Sequence, residues 1–302
     1  MKKVFIDGSV GTTGLRIRER LLSRDDLEVT VLPDELRKDL SARQDAIEQA
    51  DVAFLCLPDA AAVEIADLVK NTKTIIIDTS TAHRTSDEWV YGFPELSGSR
   101  HAVASSKRIA NPGCHATGFI ALVRPLVEMG LLRRDVKLSA FSLTGYSGGG
   151  KKMIADYAEK SYMDGRQYAL GQTHKHLPEM VKVCGLDCAP VFSPVVVPNY
   201  SGMEVTVALH NVNVDDVKRI YREYYAGDGV VRFVEDAPED GFLSSGALSG
   251  RDDLEVSVFG NSERVILVSR FDNLGKGASG AAIQNMNIAL GIDEKKGLVT
   301  NG

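Results

Sequence analysis

The first fourteen residues constrain the fold most. Lys3-Val4-Phe5-Ile6-Asp7 is a β-branched and aromatic run that predicts a buried strand, and it passes directly into Gly8-Ser9-Val10-Gly11-Thr12-Thr13-Gly14. A helix is expected from Leu15 to Ser23, with Leu15, Leu21 and Leu22 as its apolar positions. Strand, glycine-rich turn and helix in that order make the phosphate-binding corner of a Rossmann unit. Glycines let the backbone approach a pyrophosphate, and the helix N-terminus favours its charge. The spacing is G-x-x-G-x-x-G rather than G-x-G-x-x-G, and any tight strand-to-helix turn could use such a triplet. The segments that follow have to carry the assignment.

They continue the same alternation. Leu27 to Leu32 predicts a second strand, and Asp51 to Pro58 is a near-continuous apolar run of the kind buried on both faces of a parallel sheet. An alanine-rich helix, Ala60 to Lys70, leads to another such strand, Thr74 to Asp78. Strand–helix repetition of this type predicts a doubly wound α/β sheet. An acidic residue after the second strand would bind the ribose 2′-hydroxyl of NAD, and an arginine the 2′-phosphate of NADP. Pro33-Asp34-Glu35-Leu36-Arg37-Lys38 offers both kinds; Arg37 and Lys38 incline the choice to NADP. Thr79-Ser80-Thr81-Ala82-His83-Arg84 falls at the carboxyl end of a strand, where ligands of such sheets bind. The planar fork of Arg84 suits a carboxylate or phosphate there, and a surface ion pair would look the same.

Ile109-Ala110-Asn111-Pro112-Gly113-Cys114-His115-Ala116-Thr117-Gly118 sets a Pro-Gly breaker in front of an apolar helix. Cys114 therefore sits where unpaired backbone N–H groups open a helix. That environment favours a thiolate by about 0.3–1 kcal/mol, less than one pKa unit. A nucleophile active near neutral pH needs a further group, such as a histidine.

Beyond this helix the texture changes. Asp135 to Thr144 alternates like a half-exposed strand, and further alternating runs occur at Val195–Val197, Met203–Leu209, Leu254–Val258 and Arg264–Phe271. These predict a second, α+β domain with a mostly antiparallel sheet. Gly145-Tyr146-Ser147-Gly148-Gly149-Gly150-Lys151 is a second glycine-rich loop, and Gly275 and Gly277 mark another close turn before a C-terminal helix. Thr173-His174-Lys175-His176-Leu177-Pro178-Glu179 holds two histidines two residues apart. They suit acid–base partnership with a cysteine, since imidazole titrates near neutrality. A metal would need further converging ligands, and Cys184 with Cys188 makes only half a zinc site, so no metal is expected.

Composition narrows the function classes. With 44% hydrophobic and 25% charged residues among 302, the chain reads as a soluble globular protein. A formal net charge of -6 argues against nucleic-acid or anionic-membrane binding. No apolar run approaches the ~20 residues of a membrane span. Met1-Lys2-Lys3 leads straight into a strand, so a cytoplasmic location is expected.

Taken together, the segments resemble the shorter type of N-acetyl-γ-glutamyl-phosphate reductase, within the semialdehyde dehydrogenase superfamily. The resemblance runs nearly end to end, over GSVGTTG (8–14), DTSTAHR (78–84), YGFPEL (91–96), ANPGC (110–114), GYSGGGK (145–151), HKHLPE (174–179) and DNLGKGASGAAIQNMN (272–287). It departs at His115, where many members carry tyrosine. The resemblance implies NADPH-dependent reduction of an acyl phosphate to an aldehyde through a thioester on Cys114, with His176 or His174 as acid–base group. It implies that Arg84, Ser80, Glu179 and Asn111 serve the substrate. Gly8, Ser9, Gly11, Thr12, Thr13, Gly14 and Arg37, together with Ser147, Gly148, Gly149, Asn273, Gly275 and Gly277, would surround NADP(H). A nucleotide-binding domain of residues 1–113 and 275–302 is expected around a catalytic and oligomerisation domain of 114–274. A homodimer or homotetramer is expected as well. The rival substrate is aspartyl phosphate, whose free amine calls for a carboxylate. A rival of another class is a non-catalytic dinucleotide sensor with an inert Cys114.

Overall fold

The computed structural model describes residues 1–9, 11–235 and 240–301; Val10 of the first glycine loop lies outside the described residues. The chain divides into two compact units, Met1–Pro112 with Ala278–Leu298, and Gly113–Gly277 with Val299–Gly302. In chain order the first unit is built from β1 (Lys2–Asp7), α1 (Thr12–Leu22), β2 (Leu27–Thr30), α2 (Leu40–Glu48), β3 (Val52–Leu55), α3 (Asp59–Leu68), β4 (Ile75–Asp78), β5 (Val90–Tyr91), α4 (Ser99–Ser105) and β6 (Arg108–Ala110). The second follows with α5 (Cys114–Glu128), β7 (Ser139–Gly145), α6 (Gly150–Lys160), β8 (Arg166–Gln167), α7 (Leu177–Cys184), β9 (Val191–Val197), β10 (Met203–His210), α8 (Val214–Tyr224), β11 (Val231–Phe233), β12 (Leu254–Gly260) and β13 (Arg264–Phe271). The last helix, α9 (Gly280–Ala289), returns to the first unit.

The first unit carries a six-stranded sheet in the order β2-β1-β3-β4-β6-β5, parallel throughout. The period-2 alternation of β1 distributes its side chains to two cores. Val4 and Ile6 pack with Ile17 and Leu21 of α1 and Ile283 and Met286 of α9. Phe5 packs on the opposite face with Ile47 of α2 and Ile65 of α3. Helices thus cover both faces, which is why β3 and β4 are buried along their whole length. The chain runs from β1 to β2 on one side and then to β3 on the other, so its direction switches between β1 and β3. Ligands of such sheets bind at the carboxyl ends beside that switch. Gly8 follows β1 there and Cys56-Leu57-Pro58 follows β3.

The sheet of the second unit has seven strands, β11-β12-β13-β10-β7-β9-β8. It is mixed: β11 with β12 and β7 with β9 run parallel, and the other neighbours antiparallel. Helix α5 lies against one face because Gly118 lets it come close. A Cβ there would stand 2.5 Å from Val205 Cγ2 and 2.8 Å from Phe271 Cε1. The Ser269 hydroxyl donates to the Gly118 carbonyl at 3.2 Å, and the hydroxyl of Tyr225, just after α8, to that of Ala121 at 2.7 Å.

Two details depart from the sequence expectation. Helix α1 starts at Thr12 rather than Leu15, so the first glycine loop is shorter. Gly113, residues 275–277 and residues 299–301 group with the second unit, whereas the expected nucleotide-binding domain included them. Val299 pairs with Asp252 there, its carbonyl accepting from Asp252 N at 2.7 Å and its own N–H donating to the Asp252 carboxylate at 2.7 Å. Among the described residues no helix is long and apolar enough to cross a membrane.

Candidate active site

Cys114 is the first residue of α5, and Gly113 caps the helix in an extended conformation, φ −79° and ψ 145°. The cap is held from two directions. Gly113 N donates to Glu179 Oε2 at 3.1 Å, and the Gly113 carbonyl accepts from Thr117 N at 2.8 Å and Thr117 Oγ1 at 3.1 Å. The half-buried thiol thus sits at the positive end of a fixed helix. Its other side is bounded by Gly277, where a Cβ would come 3.0 Å from Cys114 Cβ.

Glu179 is buried on the first turn of α7, just after His176. Proline is tolerated at Pro178 because the first helical N–H groups have no partner within the helix. The second Glu179 oxygen lies 4.0 Å from His176 Nε2, so one carboxylate faces both the cysteine cap and an imidazole. His174 Nδ1 accepts the His176 N–H at 3.1 Å, and the two rings meet edge to face at 4.7 Å. Burial, with the nearby Lys175 charge, pushes the His174 pKa down to about 4, so this imidazole is neutral at physiological pH.

The imidazole of His115 completes this group. It is fully enclosed, with Nδ1 2.8 Å from Ser142 Oγ and Nε2 2.6 Å from Tyr168 Oη. Its ring packs at 5.2 Å from those of His174 and Phe192 and at 5.7 Å from that of His176. Burial, reinforced by His174, lowers its pKa to about 3, and burial together with the Cys114 charge raises that of Tyr168. The sequence shows none of this network beyond the unusual residue at 115. Tyr168 and Ser142 carry no motif, and β7 pairing with β9 brings them in.

In the first unit, the carboxylate of the fully buried Asp78 organises the DTSTAHR segment. It accepts from Ser80 N at 2.9 Å, from Ser80 Oγ at 2.7 Å, and meets His83 Nδ1 at 2.6 Å. The His83 ring stacks on Trp89 at 4.0 Å. Arg84 Nε donates to the Asn111 carbonyl at 2.9 Å and Nη2 to that of Thr79 at 3.1 Å. The Asn111 amide donates to the Ala278 carbonyl at 3.0 Å. Ser80, Asn111 and Glu179 thus carry internal bonds that fix the backbone of their segments.

The glycine loop has the shape a dinucleotide needs. Gly8 takes φ +84°, and a Cβ there would lie 2.3 Å from the Cys56 carbonyl oxygen; at Gly14 it would lie 2.5 Å from the Gly8 carbonyl oxygen. Gly11 instead leaves its side open, with nothing nearer than 3.7 Å. The Thr12 hydroxyl in the first turn of α1 is buried with no hydrogen-bond partner among the described residues, and Thr13 follows it. A cavity of about 390 Å³ opens here, lined by Gly8, Ser9, Gly11, Asp34, Arg37 and Lys38 among others. An open glycine, a buried hydroxyl in need of a partner and two cations fit a dinucleotide phosphate.

The second-unit residues expected around the cofactor are tied chiefly to one another. Asn273 Nδ2 donates to Ser147 Oγ at 3.0 Å, and Asn273 Oδ1 accepts from Gly202 N at 3.0 Å. Glycine is required at 149 by Met153, 2.5 Å from a Cβ there, and at 275 by the Arg251 carbonyl at 1.8 Å. Gly148 alone of these has ordinary room, 3.4 Å from Thr144 Oγ1. Among the described residues no cluster of metal-ligating side chains occurs.

Comparison with known proteins agrees with this arrangement. The family model "Semialdehyde dehydrogenase, NAD binding domain" matches residues 3–105, and "Semialdehyde dehydrogenase, dimerisation domain" matches 114–273. Proteins of Brucella ovis and Brucella canis named N-acetyl-gamma-glutamyl-phosphate reductase are each 44% identical, covering 96% of this chain and 99% of their own length. Aspartate semialdehyde dehydrogenase II of Vibrio cholerae, solved as a complex with ASA, superposes with a TM-score of 0.74 at 17% identity, over 96% of this chain and 98% of its own. The Candida albicans aspartate semialdehyde dehydrogenase solved with NADP gives 0.68 at 17%, over 95% and 98%. Those two likenesses show the fold. The substrate-level likeness is to the reductases, and the chain belongs to the semialdehyde dehydrogenase family, in its N-acetyl-γ-glutamyl-phosphate reductase branch.

Proposed function

We propose that this protein reduces N-acetyl-γ-glutamyl phosphate to N-acetyl-glutamate 5-semialdehyde, releasing phosphate, as a step of arginine biosynthesis. The observation that carries this reading is the Cys114 helix terminus, whose cap is held by the carboxylate that also faces His176. Cys114 as thiolate attacks the acyl carbon, the C–O bond to phosphate breaks, and a thioester remains on the sulfur. The first-unit glycine loop would hold the nicotinamide cofactor, whose chemistry would be to reduce the thioester carbon by hydride. His176 gives a proton to the resulting oxyanion and takes it back as the C–S bond breaks, which frees the aldehyde and restores the thiolate. A thiol serves both steps, as nucleophile first and leaving group last.

His176 is the better acid–base group of the two. His174 uses Nδ1 to hold the His176 backbone and stays neutral, whereas His176 presents Nε2 toward the Glu179 carboxylate, 4.0 Å away. Arg84 binds a substrate carboxylate or the phosphate. Ser80, Asn111 and Glu179 hold their segments in place for it. The cofactor is NADP(H), held by residues 8–14 with Arg37 toward the 2′-phosphate; Ser147 to Gly149, Asn273, Gly275 and Gly277 complete its surroundings. These roles agree with nucleotide-binding and catalytic domains that follow the two units.

The same reading includes a homo-oligomer and a cytoplasmic location. One face of the second-unit sheet exposes Phe141, Val191 and Ile266, each more than 40% accessible. Large exposed apolar side chains grouped on one sheet face mark an association surface, and a second copy of this chain covers it. The test is NADP reduction with N-acetyl-glutamate semialdehyde and phosphate, run beside aspartate semialdehyde and a Cys114→Ser protein. Turnover confined to the acetylated substrate and lost in the variant supports the reading. Preference for aspartate semialdehyde overturns the substrate, and NADP binding without turnover points to a sensor.

A further inference from the structure

We infer that Asp7 selects the base of the bound dinucleotide, its carboxylate accepting a hydrogen bond from the 6-amino group of adenine. The inference deepens the cofactor site proposed above and rests on it. Asp7 ends β1, immediately before Gly8, and is 3% exposed. It lines the cavity at the glycine loop together with Phe5, Leu32, Leu57 and Pro58. A carboxylate is out of place in a phosphate site, where like charge repels, and the chemistry at Cys114 gives it no role.

One of its oxygens is taken. Arg43 Nε of α2 donates to Asp7 Oδ2 at 2.8 Å, and both side chains are buried. A side-on guanidinium–carboxylate pair would also set Nη2 on Oδ1. Arg43 Nη2 is instead buried with no hydrogen-bond partner among the described residues, so Oδ1 stands off the guanidinium. Among the described residues the bond from Arg43 is the only one the Asp7 side chain makes. Burial pushes the Asp7 pKa up, and the charge and hydrogen bond of Arg43 oppose that shift. Asp7 thus keeps one charged acceptor, Oδ1, for whatever fills the cavity.

The chemistry of the cofactor decides what that acceptor meets. Arg37, proposed for the 2′-phosphate, lines the same cavity and assigns it to the adenosine half. The phosphates bring only acceptors and negative charge. The neutral donors of that half are the ribose hydroxyls and the adenine amino group. Phe5, Leu32, Leu57 and Pro58 give the cavity apolar walls, which suit a flat base better than a hydroxylated ring. The amino group is the donor on the edge of adenine. Hypoxanthine carries a carbonyl oxygen in its place and would set acceptor against acceptor.

The test compares NADPH with reduced nicotinamide hypoxanthine dinucleotide phosphate, binding to the full-length protein without substrate. Dissociation constants are read from the fluorescence of the reduced nicotinamide, which the two share. NADPH is expected to bind at least about tenfold more tightly, the size of one hydrogen bond to a charged group. In Asp7→Asn the amide can accept from an amino group or donate to a carbonyl, so the ratio is expected to fall to about one. Equal affinities in the parent protein, or a tenfold ratio kept in a folded Asp7→Asn protein, overturn the inference. The comparison in the parent protein decides the matter alone if the variant does not fold. A parent protein that binds neither dinucleotide overturns the cofactor site and the inference with it, an outcome distinct from equal binding of both.

Discussion

Glu179 accepts the backbone N–H of Gly113 at 3.1 Å, so a side chain on α7 fixes the residue that caps the cysteine-bearing helix. The two roles of this carboxylate can be separated. Glu179→Gln keeps an acceptor for Gly113 but removes the charge facing His176, so kcat is expected to fall at least tenfold with little change in Tm. Glu179→Ala leaves a buried N–H unpaired and is expected to cost about 1–3 kcal/mol of stability, read by urea unfolding.

Gly8 adopts φ +84° with the Cys56 carbonyl where a Cβ would go. Gly8→Ala therefore has to move the loop away from β3. Strain at a left-handed position costs about 1 kcal/mol or more, and loop displacement adds to it. NADPH binding, followed by fluorescence, is expected to weaken at least tenfold, while Cys114 alkylation keeps its parent rate because that residue belongs to the second unit.

Arg37 lines the same cavity beside Asp34. Arg37→Ser removes the guanidinium proposed for the 2′-phosphate. The KM for NADPH is expected to rise about tenfold, in line with loss of one charge-assisted contact of about 1.5–3 kcal/mol, with the KM for NADH unchanged. Equal loss with both cofactors would show that the 2′-phosphate is bound elsewhere.

His115 and His174 are held neutral, with pKa values near about 3 and about 4 against an ordinary 6.5. The unfolded chain takes up these protons near pH 6.5 while the folded one does not, so stability falls as pH drops from there toward 4. The fully buried His115 accounts for a change on the order of a few kcal/mol. The Tm of His115→Gln is expected to decline less steeply with acidification than that of the parent. Parallel Tm–pH curves would contradict the buried neutral histidine.

Much of the architecture was legible in the sequence because it rests on local signals. The apolar runs of β3 and β4 announce strands covered on both faces, and the Pro-Gly break at 112–113 announces the helix of Cys114. Helix α2 gave little signal, since only Arg43 and Ile47 are buried along it and the rest is polar. The parallel pairing of β7 with β9 was hidden for another reason: register between distant strands leaves no local pattern. That pairing decides the site. It brings Ser142 and the Phe192 ring to His115, and Tyr168 joins by hydrogen bonding its N–H to the Pro194 carbonyl at 3.1 Å. Residues 147 and 273 were legible as loop positions, but not as partners of one another.

Oligomerisation has its own check. Phe141 and Ile266 project from the outward face of the second-unit sheet, at 45% and 43% exposure. Phe141→Glu with Ile266→Lys is expected to shift the mass from light scattering to that of one chain. A parent protein that is already monomeric would contradict an association surface there.

The thioester on Cys114 can be tested without the cofactor. The protein is mixed with N-acetyl-γ-glutamyl phosphate in the absence of NADPH, quenched in acid, digested and examined by mass spectrometry. The expected result is an N-acetylglutamyl adduct on the peptide that contains Cys114, phosphate released in equal amount, and loss of the adduct on later addition of NADPH. Phosphate release with no adduct, or an adduct on a different cysteine, would contradict it.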